Sequence, residues 1–322
     1  MAKTACVYVG KEIGDYGFGG GHPFGPHRME AFWSEAKTQG LDRRALIKSP
    51  VMAQRALLEK FHTAAYVDLV EERSKTGEGY LDYGDTPAFP GIFEAASHVV
   101  GCTVDATRRI MAGEFSSAFI PIAGLHHARR DRAGGFCVFN DVGVAIHCLR
   151  DEFGIKRVAY VDIDAHHGDG VFYGFESDPD VLIVDLHQDG HTLYPGTGHA
   201  HETGKGAAAG TKMNIPLPPG TGDNLFFQSW PKVAQFLTEG KPEFIFFQCG
   251  ADSIAGDPIT NMRLSPTAHY HVALRLAQIA DSLGHGRIVG VGGGGYNSTN
   301  IGHGWCGVLR AFIENAERGT SA

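Results

Sequence analysis

Residues 160–170 read YVDIDAHHGDG, which puts three carboxylates and two adjacent histidines within eleven residues, directly behind an apolar run. Side chains two apart on a strand share a face, so Asp162, Asp164 and His166 are expected to project together. With no Lys or Arg among them, such groups repel one another unless a cation sits between them. A divalent metal bound by Asp164 and His166 relieves that repulsion; the competing reading is a solvated turn. A catalytic zinc site takes three protein ligands and keeps one position open. Asp252, in FFQCGADSIAGDP, is the best third ligand, because it follows the most apolar strand and sits among small residues. Asp257 is the weaker one, since its G-D-P context is that of an ordinary turn. Two aspartates and one histidine suit Zn²⁺ or Fe²⁺.

A second histidine pair, His126 and His127, follows another apolar run in IAGLHHARRDRAGGFC. Two imidazoles beside a metal suggest acid/base work, with their pKa values set by carboxylate partners. Asp162 and Asp169 are the acids left to orient one imidazole each. VGVGGGGYN contains a literal GxGxxG at Gly290, Gly292 and Gly295, but only 27 residues follow it, too few for the rest of a dinucleotide-binding half. The surviving reading is a tight turn that leans Tyr296 into a site, its hydroxyl aimed at a developing oxyanion; a plain glycine loop with a packed tyrosine is the alternative. There is no GxSxG elbow and no P-loop lysine.

These residues need a scaffold that brings distant segments together. Short, continuous β-branched and aromatic runs recur at 5–9, 118–123, 157–163, 181–187, 244–248 and 287–293, as strands buried on both faces do. Helix-like segments lie between them, including 91–112, 140–153, 224–239 and 266–283. The alternation predicts an α/β fold in three layers, a mainly parallel sheet with helices on both faces. No repeat, low-complexity tract or linker interrupts it, so 1–322 reads as a single domain. Five strand ends carry polar signatures, GLHHA, DIDAHHGDG, DLHQDG, CGADS and GGGGY, where open α/β sheets hold their ligands.

Composition narrows the partners. The chain has 36 acidic and 28 basic residues, a net charge of −8, and no basic run, which argues against nucleic acid and leaves room for a basic substrate. Six scattered cysteines without a CxxC exclude a zinc ribbon and argue against a disulfide framework. With no signal-peptide core and no membrane-length apolar run, the expectation is a soluble, reduced, cytoplasmic protein.

Taken together, HPFGPHR, FHTAAYVDLV, GDTPAFPGIFEAA, GLHHA, GGFCVFND, DIDAHHGDGV, LYPGTG, CGADSIAGDP and GGGGYN resemble, in order, the histone-deacetylase-like family of the arginase/deacetylase fold. The likeness is greatest to its class I enzymes and to bacterial acetoin-utilisation-type members. The resemblance implies that Asp164, His166 and Asp252 are metal ligands. It implies that His126 and His127 are the acid/base pair, backed by Asp162 and Asp169, and that Tyr296 polarises the scissile carbonyl. Gly135, Phe136, Tyr194 and Ile259 match the acyl-lysine channel, Asp85 matches a rim carboxylate, and Arg28 matches an arginine near an internal exit channel. The implied substrate is an acyl-lysine protein or peptide, with an acylated small amine as the alternative and a non-catalytic acyl-lysine-binding module as the alternative outside enzymes.

The resemblance further implies potassium beside the metal, through Asp162, Asp164, His166, Asp185 and Leu186. A second monovalent ion follows by position, through Phe175, Asp178, Val181 and Thr211. Asp185 stands where many relatives have Ser, and Pro90 where a glutamate is usual. Asp169 is kept where class II enzymes tend to have Asn. An arginase-like ureohydrolase would need more Asp/His ligands than the sequence offers.

Overall fold

The computed structural model describes residues 4–320. Its strands are β1 (Ala5–Tyr8), β2 (Leu46–Lys48), β3 (Ser117–Ile120), β4 (Val158–Asp162), β5 (Val181–Gln188), β6 (Lys212–Leu217), β7 (Phe244–Gln248) and β8 (Ile288–Val291). The helices are α1 (Lys11–Gly14), α2 (His27–Thr38), α3 (Arg55–Leu58), α4 (Ala64–Thr76), α5 (Ile92–Met111) and α6 (Asp141–Phe153). They continue with α7 (Asp169–Phe175), α8 (Asp223–Gln228), α9 (Trp230–Gly240), α10 (Pro266–Ser282) and α11 (Ser298–Thr320).

All eight strands form one parallel sheet in the order β2-β1-β3-β8-β7-β4-β5-β6. Every residue of β1, β3, β4, β5, β7 and β8 is buried. Since alternate side chains point to opposite faces, both faces are covered, as the unbroken apolar runs require. One helical group joins α2, α10 and α11, and another joins α5 and α6.

The five strands with polar ends, β3, β8, β7, β4 and β5, are consecutive in the sheet. Their carboxyl ends therefore open onto one shared edge. The segment 224–239 is broken at Ser229 into α8 and α9, with Pro231 in the first turn of α9, where a missing N–H costs nothing. The sequence pattern passes over two edge strands: β2 has three residues and is largely exposed, and β6 carries Pro216, tolerated at an edge. No helix among the described residues is long and apolar enough to cross a membrane.

Candidate active site

β4 stops at Asp162, so Asp164 and His166 come from the loop after it, contrary to the simple strand expectation. What preserves their common direction is a chain of turns. Asp164 N donates to Asp162 Oδ1 and His166 N to Asp164 Oδ1, each at 2.9 Å. Each carboxylate thus holds the amide two residues on, and the loop curls without losing the alternation.

Asp252 lies on the 3₁₀ turn Ala251–Ser253 that follows β7. The ligand atoms of Asp164, His166 and Asp252 all fall within 4.8 Å of one another. His166 Nδ1 is 3.1 Å from both Asp164 Oδ1 and Asp252 Oδ2. Burial and the Asp164 charge push the Asp252 carboxyl up to about 7. Burial lowers the His166 imidazole, but hydrogen bonds and charge from Asp164 and Asp252 overcome it and carry it to about 10. A cluster that draws positive charge so strongly, through two oxygens and a nitrogen, fits a borderline divalent cation. Asp257, the weaker sequence candidate, is not a member. Its carboxylate accepts from Tyr296 N at 2.8 Å and Ile259 N at 3.1 Å, so it holds the Tyr296 backbone instead.

Several residues that fix this cluster escaped sequence reasoning. Gln248, the polar end of FIFFQ, donates through Nε2 to Asp164 Oδ2 at 2.9 Å and accepts from Gly250 N at 2.8 Å. An amide side chain closing so apolar a run was the available signal, since a buried polar group needs partners. Gly294 N donates to the same Asp164 oxygen at 2.8 Å. A Cβ on Gly294 would lie 2.1 Å from Asp252 Oδ2. Gly294→Ala is therefore expected to displace that carboxylate and cut bound metal well below one equivalent, measured by plasma mass spectrometry of the dialysed protein; full occupancy would show that the loop yields instead.

The histidine pair is bonded as the sequence proposes. His126 Nδ1 is 2.8 Å from Asp162 Oδ2, and His127 Nδ1 is 2.7 Å from Asp169 Oδ1. Arg129 also bonds Asp169, at 2.6 Å. Asp141, at the start of α6, accepts from Gly124 N at 3.0 Å and Leu125 N at 2.8 Å, and so fixes the loop that carries both imidazoles. Burial alone would lower His126, but the Asp162 and Asp164 charges raise it to about 9. Burial and the neighbouring His126 charge hold His127 near 4, against the pull of Asp169. One imidazole favours the cation and its neighbour the neutral base.

A cavity of about 230 Å³ leads to these groups. It is lined by Asp164, His166, His126 and His127, by Phe136, Leu193, Tyr194 and Ile259, and by Tyr296. Asp85, exposed, stands at the mouth, where burial and the adjoining Asp82 raise its carboxyl to about 6. Gly135 and Phe136 both adopt positive φ, +52° and +68°. A Cβ on Gly135 would come within 2.4 Å of His127 Cδ2, so glycine there lets the turn close against the imidazole. Burial and the Asp252 charge raise the Tyr296 phenol well above its usual range, which keeps its proton available for donation. Arg28 is fully buried, packs 3.8 Å from the Phe24 ring centroid, and donates to the carbonyls of Gly293 and Gly295. It therefore braces the turn before Tyr296.

Asp162 and Asp185 are register partners on β4 and β5, both fully buried. Burial and the Asp185 charge raise Asp162 to about 6, and the Tyr160 hydroxyl and Asp164 N donate to its two oxygens. The negative charge that Asp185 adds is matched on its own strand, where His187 Nδ1 lies 2.6 Å away. The second implied ion set is a correction: Lys212 Nζ bonds the Asp178 carbonyl at 2.8 Å, the Val181 carbonyl at 2.5 Å and Thr211 Oγ1 at 2.9 Å. An ion does not fit among oxygens already taken by an ammonium. A separate group, Asp189, His191 and His199, lies partly exposed on the loop carrying Tyr194, outside the cavity lining.

The profile of the histone deacetylase domain matches residues 22–312. The chain is 36% identical over 288 residues to the acetoin utilization protein AcuC of Bacillus subtilis, covering 86% of this chain and 73% of that protein. It is 32% identical over 314 residues to histone deacetylase RPD3 of Saccharomyces cerevisiae, covering 94% and 70%. The crystal structure of the HDA15 HD domain superposes with a TM-score of 0.89 at 27% identity, covering 97% of this chain and 90% of that one.

Proposed function

Because the chain belongs to the histone deacetylase family, we propose that it is a metal-dependent deacetylase that removes acetyl or other short acyl groups from acyl-lysine side chains of proteins or peptides. The observation that carries this is one cavity lined by Asp164 and His166 of the Asp164–His166–Asp252 cluster, by two carboxylate-held imidazoles, by Phe136, Tyr194 and Tyr296, and by Asp85. Asp164, His166 and Asp252 would hold Zn²⁺ or Fe²⁺, which when bound polarises an amide carbonyl and lowers the pKa of water. With Nδ1 committed to Asp169, His127 exchanges its proton at Nε2, taking one from the attacking water and later giving it to the departing amine. His126, held by Asp162, is its electrostatic partner, and Tyr296 donates a hydrogen bond to the oxyanion. Phe136 and Tyr194 suit the methylene stem of lysine, and Asp85 suits a substrate backbone N–H. Asp162, Asp164, His166, Asp185 and Leu186 are the proposed holders of potassium.

A second reading, deacetylation of small acylated amines such as acetylpolyamines, is favoured by Asp85 in the cavity lining and by the net charge of −8. The ratio of kcat/KM for an acetyl-lysine peptide and an acetylpolyamine, at defined Zn²⁺ or Fe²⁺ loading, separates the two. We expect the peptide to be preferred. The reverse order would establish the small-amine reading, and tight binding with no acetate released would establish a binding module.

A further inference from the structure

The loop between α7 and β5 gathers backbone oxygens much as a cation site does. Asp178 N donates to the Phe175 carbonyl at 3.0 Å and Val181 N points to the Asp178 carbonyl at 3.4 Å, so the segment 175–181 folds back on itself. Its carbonyls at 178 and 181 converge with Thr211 Oγ1 from the start of β6. Lys212 is only 2% exposed, and all three oxygens surround its Nζ. A primary ammonium has three donors and no acceptor, so three oxygen acceptors satisfy it in full.

We propose that the Lys212 ammonium is a built-in replacement for a monovalent cation at this position, so that the chain carries its own counter-charge where the family resemblance implies a second exchangeable ion. Two further observations support it. The Asp178 carboxylate bonds Arg150 in two places, at 2.5 and 2.9 Å, so it has a counter-charge of its own. Thr211 donates its hydroxyl proton to the Ala208 carbonyl at 2.7 Å, which leaves its oxygen lone pairs for Nζ. The Thr211 carbonyl is also occupied, by Ile183 N at 3.1 Å. Burial lowers the Lys212 pKa to about 8, with the Asp178 charge opposing that fall and the Arg150 charge adding to it.

The consequence is mechanical. A dissociable ion would make the α7–β5 loop and the β5–β6 pairing sensitive to salt, whereas a tethered ammonium holds them at any potassium concentration. Because β5 carries Asp185 and Leu186, the tether reaches the flank of the metal centre.

The unaltered protein supplies a test that needs no variant. In crystals soaked in rubidium chloride, anomalous scattering should show no ion among the oxygens of Asp178, Val181 and Thr211. A rubidium peak there, with Lys212 turned aside, would overturn the proposal. Lys212→Ala supplies the converse. Exchange of choline chloride for potassium chloride at constant ionic strength should raise its Tm by several degrees more than that of the unaltered chain, and a rubidium peak should appear at the vacated position. The unaltered chain cancels any potassium effect arising beside Asp185, since both proteins keep that site. Equal Tm responses with no new peak would show that this loop has no cation-binding character, and the inference would fail. Neither readout uses turnover, so both stand whether or not the proposed deacetylase activity is found.

Discussion

Tyr296→Phe is expected to leave bound metal at one equivalent and the thermal transition unchanged, while kcat for an acetylated substrate falls by about 10²–10³, equivalent to about 3–4 kcal/mol of lost oxyanion stabilisation. The residue suits so selective an effect. Its backbone N–H is tied to Asp257, its ring contacts the Phe24 and Phe136 rings at centroid distances of 6.4 and 5.9 Å, and phenylalanine keeps both sets of contacts. Only the proton donor is lost. KM should change little, because the contact matures as charge develops on the oxygen. The check is steady-state kinetics beside metal analysis on the same preparation. Near-normal kcat would remove Tyr296 from the chemistry, and the proton donor would have to be sought elsewhere in the cavity.

Asp252→Asn should have the larger effect of the two on metal. The asparagine oxygen still accepts from Ala165 N, which is held at 2.9 Å in the parent, so the turn after β7 keeps its shape. What goes is one of the two negative charges that draw a cation. Outer-shell partners are typically worth about 10–100-fold in metal affinity, and a direct anionic ligand should exceed that range. We expect dialysed Asp252→Asn to retain little metal, to lose activity in step with it, and to show no fall in Tm on treatment with a chelator. The parent should show such a fall, since an ion that binds only the folded state stabilises it by mass action. Unchanged metal content and an unchanged chelator response would reject Asp252 as a ligand.

The parts of the site that were legible in the sequence share a physical origin. Asp162, Asp164 and His166 lie close along the chain, and so do His126 and His127. Like charges crowded behind an apolar run raise an electrostatic question before any coordinates exist. The alternation of apolar runs with helical segments likewise announces a parallel sheet, because each run must be buried on both faces. The same local logic misled where the backbone left the strand. Asp164 and His166 share a direction through successive carboxylate-to-amide turns, not through the pleat.

What could not be read locally depends on groups that meet only after folding. Gln248 and Gly294 are 46 residues apart, yet both bond the same oxygen of Asp164. Asp257 looked like a turn residue and a spare ligand until the packing of 295–297 against it made it the anchor of Tyr296. Lys212 carries no motif, and nothing along the chain connects it with the 175–181 loop. Burial of its stem at an edge strand, and the three oxygens around its head, arise from the pairing of β5 with β6.

By itself, the sequence determined which residue types stand at the strand ends, and hence where a cation and acid/base chemistry are to be expected, since charge and hydropathy are properties of short segments. Only the tertiary structure decided which oxygens face a common point and which are already satisfied by another donor. Directional hydrogen bonds between distant segments exist only once the sheet has ordered its strands.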